Sequence, residues 1–186
     1  MGIGSGPVGL FMGGLYPYKR PELLLEAAIE IREKCPDFEL VIIGDGSSSQ
    51  VVADAVEQYP WIHWLGAMYG DSRMGPASLA SVQLMPGLVG LNIVDGFALR
   101  IPTVTIDDDG HGPEIDYLEN GQNGIMLPRS STASEFALAV AELLSDENRL
   151  STLQSGASLS GDRLSIEDMA TRFADGIEEA LAADSR

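Results

Sequence analysis

The sequence predicts an α/β fold, a three-layer α/β/α arrangement built on a six-stranded, mostly parallel sheet. Three observations predict it. Apolar runs of strand length alternate with amphipathic segments along the whole chain, the pattern of repeated βαβ units. Glycine-rich turns close several of the apolar runs, as at Gly13-Gly14, Gly44-Asp45-Gly46 and Gly66. A length of 186 residues with 45% apolar content is enough to bury a sizeable core in one domain.

The elements follow in order. Val8 to Met12 reads as the first strand. Pro21, at the position where proline is favoured, starts a helix whose buried face is Leu23, Leu24, Ala27, Ala28 and Ile31, and Pro36-Asp37 breaks it. Phe38 to Ile43 is the second strand, Val51 to Gln58 a weaker helix, and Trp61 to Leu65 the third strand. Asp71 to Ala80 reads as a short helix interrupted by Gly75-Pro76. Ser81 to Met85 is a fourth strand, Gly90 to Leu99 a glycine-rich helix and Thr103 to Ile106 a fifth strand. Pro113 to Leu118 is a short helix and Gly124 to Leu127 the sixth strand. Three helices close the chain over 133–182: Ala133 to Leu144, Glu147 to Ser158 and Ile166 to Leu181. In the last, Ile166, Met169, Phe173, Ile177 and Leu181 form an apolar stripe, expected to dock on the chain's own sheet, with a second domain as the other occupant weighed. Met1 to Gly6 is rich in glycine and serine, so residues 1–7 read as a cloning scar or linker ahead of one domain over 8–186.

Charge and composition exclude several classes. A net charge of -17 argues against a broad nucleic-acid or anionic-membrane surface, so any phosphate site must be built locally against the overall field. Cys35 is the sole cysteine, which rules out an internal disulfide and fits a reducing, cytoplasmic compartment. No run has the apolar length of a membrane span. Asp107-Asp108-Asp109 has no histidine or further carboxylate spaced to complete a metal site, so the three are expected to be solvated and no metal is expected. There is no Walker A spacing, and no G-x-G-x-x-G follows the first strand.

In a parallel sheet ligands bind beyond the carboxyl ends of the strands. That edge gathers the loops Gly13 to Arg20, Gly44 to Ser47, Gly66 to Arg73, Gly87 to Asn92 and Asp107 to Glu114. Gly90, Leu91 and Asn92 would present main-chain amides at a helix start, suited to phosphate oxygens. Asp95, one turn further in, could accept hydrogen bonds from both hydroxyls of a ribose, or simply compensate the helix dipole. Lys19 and Arg20 stand together on this edge in a chain with only eleven basic residues. His111 lies on the same edge, whereas His63, alternating with Ile62 and Trp64, reads as structural.

Several ordered motifs resemble a known family. Gly13 to Ala27 resembles the run G-R-L-x-P-x-K-R-P-x-L-L-L-E-A of the group 1 family of retaining, nucleotide-sugar-dependent glycosyltransferases with the GT-B fold. Leu40 to Gly46 resembles its L-x-I-x-G-D-G, and Ile62 to Gly66 its V-x-F-L-G. Pro86 to Val104 is similar to its P-S-x-x-E-G-x-G-L-x-x-x-E-A-M-A-x-G-x-P-V. Gly112-Pro113-Glu114-Ile115, Asn120-Gly121 and Asn123-Gly124 are similar to its G-x-x-E-I and x-G-x-N-G segments, so the resemblance covers about Val8 to Leu144.

The resemblance implies a Rossmann-like half of a GT-B fold, the carboxy-terminal half that binds a UDP- or GDP-type sugar donor. Lys19 then matches the lysine that meets the diphosphate and is the catalytic candidate. Gly90 and Leu91 match the residues whose amides meet the phosphates, and Asp95 stands at the ribose-binding glutamate. Ala67 and Met68 match the base-contacting segment; Gly13, Gly14, Gly44 and Asn92 complete the expected donor site, with Arg20, Gly87 and His111 as a second tier. Three positions depart from the family pattern. Gly14 stands in place of an arginine, Gly87 in place of the first glutamate of an E-x7-E pair, and Asp95 is one methylene shorter than glutamate. The implied activity is transfer of a hexose-type sugar, with little or none by this chain alone because the amino-terminal acceptor domain is absent from it. The implied longer protein could attach peripherally to a membrane. A noncatalytic nucleotide-binding or scaffold module of the same fold, and a nucleotide-sugar epimerase, are the other readings.

Overall fold

A computed structural model describes residues 4–184, so part of the 1–7 segment lies outside the described residues. Six strands form one sheet in the order β3-β2-β1-β4-β5-β6: β1 Val8–Met12, β2 Glu39–Ile43, β3 Ile62–Trp64, β4 Val82–Met85, β5 Thr103–Ile106 and β6 Gly124–Leu127. Every pairing is parallel, where the sequence predicted a mostly parallel sheet. The helices are α1 Pro21–Lys34, α2 Ser49–Gln58, α3 Met74–Ala77, α4 Asn92–Ala98, α5 Ala133–Ser145, α6 Glu147–Asp162 and α7 Ile166–Asp184.

The period of two in each strand makes the layers. Phe11, Leu40 and Ile42 pack with Leu24, Ala27, Ala28 and Ile31 of α1 in the larger core. Their neighbours Leu10, Met12, Val41 and Ile43 point the other way and pack with Ala77 of α3. The sheet is therefore apolar on both faces, as buried parallel strands must be. Thr132 and Glu135 close a capping box that starts α5, whose apolar face, including the fully buried Phe136 and Val140, completes the larger core.

Four elements differ from the sequence reading. Gly75-Pro76 does not interrupt α3, because the proline falls in its first turn, where an N–H has no helical partner to lose. The break lies earlier, where a 3-10 turn over Gly70–Arg73 passes into α3. Residues Pro113–Tyr117 form a 3-10 helix. Helix α6 runs four residues past Ser158, and the buried Asn123 ties Ser160, in its last turn, to the Tyr117 carbonyl.

The largest correction concerns α7. Its stripe does not dock on the sheet: Phe173 is 72% exposed and Met169 61%. Both cores are filled without any residue of this helix, so the sheet offers it no face. Among the described residues no helix is long and apolar enough to cross a membrane.

Candidate functional site

Strand order reverses between β1 and β4, neighbours in the sheet but not in the chain. Their connections diverge there, which opens a crevice beyond the carboxyl ends. Asn92 staples it. Its side-chain amide donates to the Met12 carbonyl, and its Oδ1 accepts the Gly90 N–H at 3.2 Å. Beneath it the fully buried Gln83 donates to the Asn92 carbonyl at 3.2 Å and accepts from the Thr103 hydroxyl at 3.0 Å. A buried amide with both ends satisfied holds the mouth of α4 against the sheet. The lone glutamine in an apolar strand was its visible signal.

Helix α4 starts at Asn92, two residues later than the sequence reading, because 3-10 bonds from Ile93 to Gly90 and from Val94 to Leu91 open it. The N–H groups of Leu91 and Asn92 belong to the first turn, which a helix leaves unpaired. The Lys19 ammonium donates to the Leu88 carbonyl and lies 3.5 Å from where a Cβ on Gly90 would stand. Burial pushes the Lys19 pKa down, and Glu114 opposes that through its charge. A half-desolvated ammonium thus lies beside Gly90, just ahead of the opening turn of α4, a position that favours a nearby oxyanion.

Gly13, Gly14, Gly44, Ala67, Met68 and Asn92 come together around a cavity of about 610 Å³. The first two loops touch closely: a Cβ on Gly44, whose φ is 148°, would fall 1.8 Å from the Gly13 carbonyl oxygen. Asp45 is spent on its own turn, accepting from the Gly46 N–H and the Ser49 hydroxyl.

Leu91 and Asp95 line a neighbouring cavity of about 520 Å³. Arg73, absent from the sequence-based candidates, lines both cavities, as does Asn92. It places one guanidinium nitrogen 3.1 and 3.0 Å from the two carboxylate oxygens of Asp95. Burial pushes the Asp95 pKa up, and Arg73 pulls it back only in part. The Arg73 Nε is buried with no partner among the described residues. Its signal was scarcity, as one of eleven basic residues in a chain of net charge -17.

The two glycine departures have structural counterparts. A Cβ on Gly14 would meet the Tyr16 ring at 2.5 Å, so that ring fills the room a longer side chain needs, and it stacks on Tyr18 with centroids 5.5 Å apart. A Cβ on Gly87 would stand 2.4 Å from the Tyr18 carbonyl oxygen. The loop after β4 therefore lies directly on the Tyr18–Lys19 backbone, joined by the Leu88 N–H to Tyr18 carbonyl bond at 3.0 Å.

The remaining candidates are engaged inside the fold. Arg20 pairs with Asp108 at 2.6 Å. His111 accepts the Val89 N–H at Nδ1 and lies 3.0 Å from the Ile106 carbonyl at Nε2. A carbonyl can only accept, so Nε2 carries the proton and the ring bridges the loop after β4 to the end of β5. Asp107 and Asp109, expected to be solvated, both pair with Arg129. His63 pairs with Glu39 at 2.6 Å, away from the site edge.

Comparison with known proteins agrees with this fold. The family described as "Glycosyl transferases group 1" matches residues 6–146. This chain belongs to the group 1 glycosyltransferases. Among curated relatives, the putative glycosyltransferase EpsD of Bacillus subtilis is 27% identical over 131 residues, 67% of this chain and 33% of that protein. The alpha-D-kanosaminyltransferase of Streptomyces kanamyceticus is 28% identical over 151 residues, 78% of this chain and 38% of that one. The chain thus spans between a third and two fifths of these relatives' length. The pneumococcal O-GlcNAc transferase GtfA, solved with UDP and GlcNAc, superposes with a TM-score of 0.78 at 20% identity, over 96% of this chain and 37% of that one. Anabaena Alr3699/HepE, solved with UDP and glucose, gives 0.78 at 16% identity, over 96% and 50%. The fold is one half of a GT-B fold.

Proposed function

We propose that this chain is the donor-binding half of a glycosyltransferase that moves a hexose-type sugar from a nucleoside diphosphate to an acceptor. The observation that carries the reading is the Lys19 ammonium beside the opening turn of α4 at the β1/β4 crevice. Lys19 and the amides of Leu91 and Asn92 would take the diphosphate. Asp95 would accept from the ribose hydroxyls, and the base would lie toward Ala67 and Met68. As the bond from the anomeric carbon to the diphosphate oxygen breaks, the electron pair goes to that oxygen. A positioned ammonium and N–H groups stabilise the charge that develops there. That UDP occupies the pneumococcal and Anabaena structures supports the uridine member of the uridine or guanosine pair that the motifs imply.

The exposed Phe173 and Ile177 of α7 support the second part of the reading, that an acceptor domain elsewhere in a longer enzyme covers them. This chain alone then binds donor and transfers little or nothing. Calorimetric titration with uridine, guanosine and adenosine diphosphates tests the first part; the account predicts saturable one-to-one binding of at least one, and silence from all three overturns it.

One observation favours a second reading. Tyr16 and the Tyr18–Lys19 backbone close the room that side chains at positions 14 and 87 would need. That is what a noncatalytic scaffold of the same fold, freed from binding donor, would show. Micromolar affinity for a nucleoside diphosphate dismisses it.

A further inference from the structure

The cavity of about 520 Å³ beside the proposed donor site combines apolar and basic residues. Leu91, Val94, Ile166 and Met169 give it apolar walls. Three of them stay open to solvent: Leu91 is 68% exposed, Ile166 69% and Met169 61%. Around these walls stand Arg73, Arg163 and Arg172, three of the eleven basic residues of a chain whose net charge is -17. Asp95 is the one carboxylate in the lining, and Arg73 already pairs with it. Arg163 and Arg172 hold no ion pair among the described residues, and the buried Arg73 Nε has no partner there either. Apolar walls call for an apolar body, and unpaired guanidinium groups call for an anion, most favourably one with phosphate or carboxylate geometry.

We propose that this cavity is a second binding site, for an amphiphilic anion that sets its phosphate or carboxylate among Arg73, Arg163 and Arg172 and lays its apolar chain on Leu91, Val94, Ile166 and Met169. Arg73 and Asn92 line both cavities, whereas Leu91 and Asp95 line only this one, so a ligand here would border the proposed diphosphate and ribose positions. The site does not rest on the donor reading, because its occupancy is measured with no nucleotide present.

The test uses this chain and octyl phosphate below its micellar concentration, followed by amide shifts in two-dimensional NMR. Octanol and inorganic phosphate are the controls. The expected result is saturable binding with shifts at Val94, Asp95 and Met169, at least about tenfold tighter than either control. Arg163→Glu/Arg172→Glu should weaken it at least about tenfold, and the milder Arg163→Gln/Arg172→Gln pair should weaken it less. Both pairs replace exposed side chains, and an unchanged circular dichroism spectrum confirms that each folds. Equal binding of octanol, full binding by the charge-reversed pair, or shifts confined to Phe173 and Ile177 would overturn the proposal in favour of simple adhesion to α7. Sedimentation with phosphatidylglycerol and phosphatidylcholine vesicles then separates the two sources of this chemistry. Binding to the anionic vesicles that the charge-reversed pair loses supports a lipid in a bilayer, and octyl phosphate binding without vesicle binding supports a soluble amphiphile.

Discussion

Burial lowers the pKa of Lys19, and its bond to the Leu88 carbonyl and the charge of Glu114 make up only part of the lost hydration. The unfolded chain therefore holds that proton over a pH range where the folded one has released it. Stability rises with pH across that range, and below it the charged ammonium costs stability. An anion at the mouth of α4 would reverse the balance. Lys19→Met should keep the packing of the stem, hold or raise the melting temperature, and weaken nucleoside diphosphate binding at least about tenfold. A variant that melts lower and binds normally would show that Lys19 is a structural residue. Asp95 gives the complementary prediction, because burial raises its pKa and Arg73 restrains the rise. In Arg73→Ala the carboxyl should titrate at still higher pH, so the acid loss of nucleotide binding moves to higher pH as well. Carboxyl-detected NMR reads the first directly, and an unmoved titration contradicts the pairing. At Gly14, the Tyr16 ring sets the order of events: Gly14→Arg should gain no affinity alone and should gain it when combined with Tyr16→Ala.

At the scale of elements, α5 and α7 carry similar apolar stripes with opposite fates. Phe136 is fully buried on α5, so Phe136→Ala should cost about 3–5 kcal/mol in chemical denaturation. Phe173 and Ile177 on α7 are exposed, so Phe173→Asp/Ile177→Asp should leave the denaturation midpoint of this chain almost unmoved. A loss comparable to Phe136→Ala would mean that α7 packs on this chain after all. Helical spacing made both stripes visible in the sequence. It could not say where each would find a partner, because that depends on which sheet faces the earlier helices had filled. The strands were legible almost to the residue, since continuous apolar runs bounded by glycine leave little choice of register. The short elements were less so: in α3 and the 3-10 turn at Pro113–Tyr117, a few local hydrogen bonds decide between helix types. The placement of Lys19 beside the glycine loop ahead of α4 was legible through motif and glycine spacing, though the helix opens two residues later than that spacing suggested. Arg73 and Gln83 gave only weak signals, because their roles arise from contacts with residues distant in sequence, and Tyr16 gave none, because the placement of its ring over Gly14 is a rotamer choice that spacing does not reveal.

For the whole molecule, charge and site oppose one another. A net charge of -17 repels a phosphorylated ligand at long range, while in the proposed site Lys19 and Arg73 would attract it at contact. Salt screens the distant charges more than the half-buried ones. The association rate of a nucleoside diphosphate should therefore rise between about 10 mM and about 150 mM salt, the reverse of what a basic cleft gives. Stopped-flow fluorescence measures it, and a steep fall would mean that the local cations set the field. The family match places the chain among the group 1 glycosyltransferases and its fold is one half of a GT-B fold, so the crevice beyond β1 and β4 is where the proposed donor binding must be tested. The most direct measurement is an NMR titration of this chain with uridine diphosphate, observing the amides of Gly90, Leu91 and Asn92 together with the Lys19 ammonium. The account predicts that these signals move together and saturate at one equivalent; shifts that leave them untouched, or none at all, would contradict it.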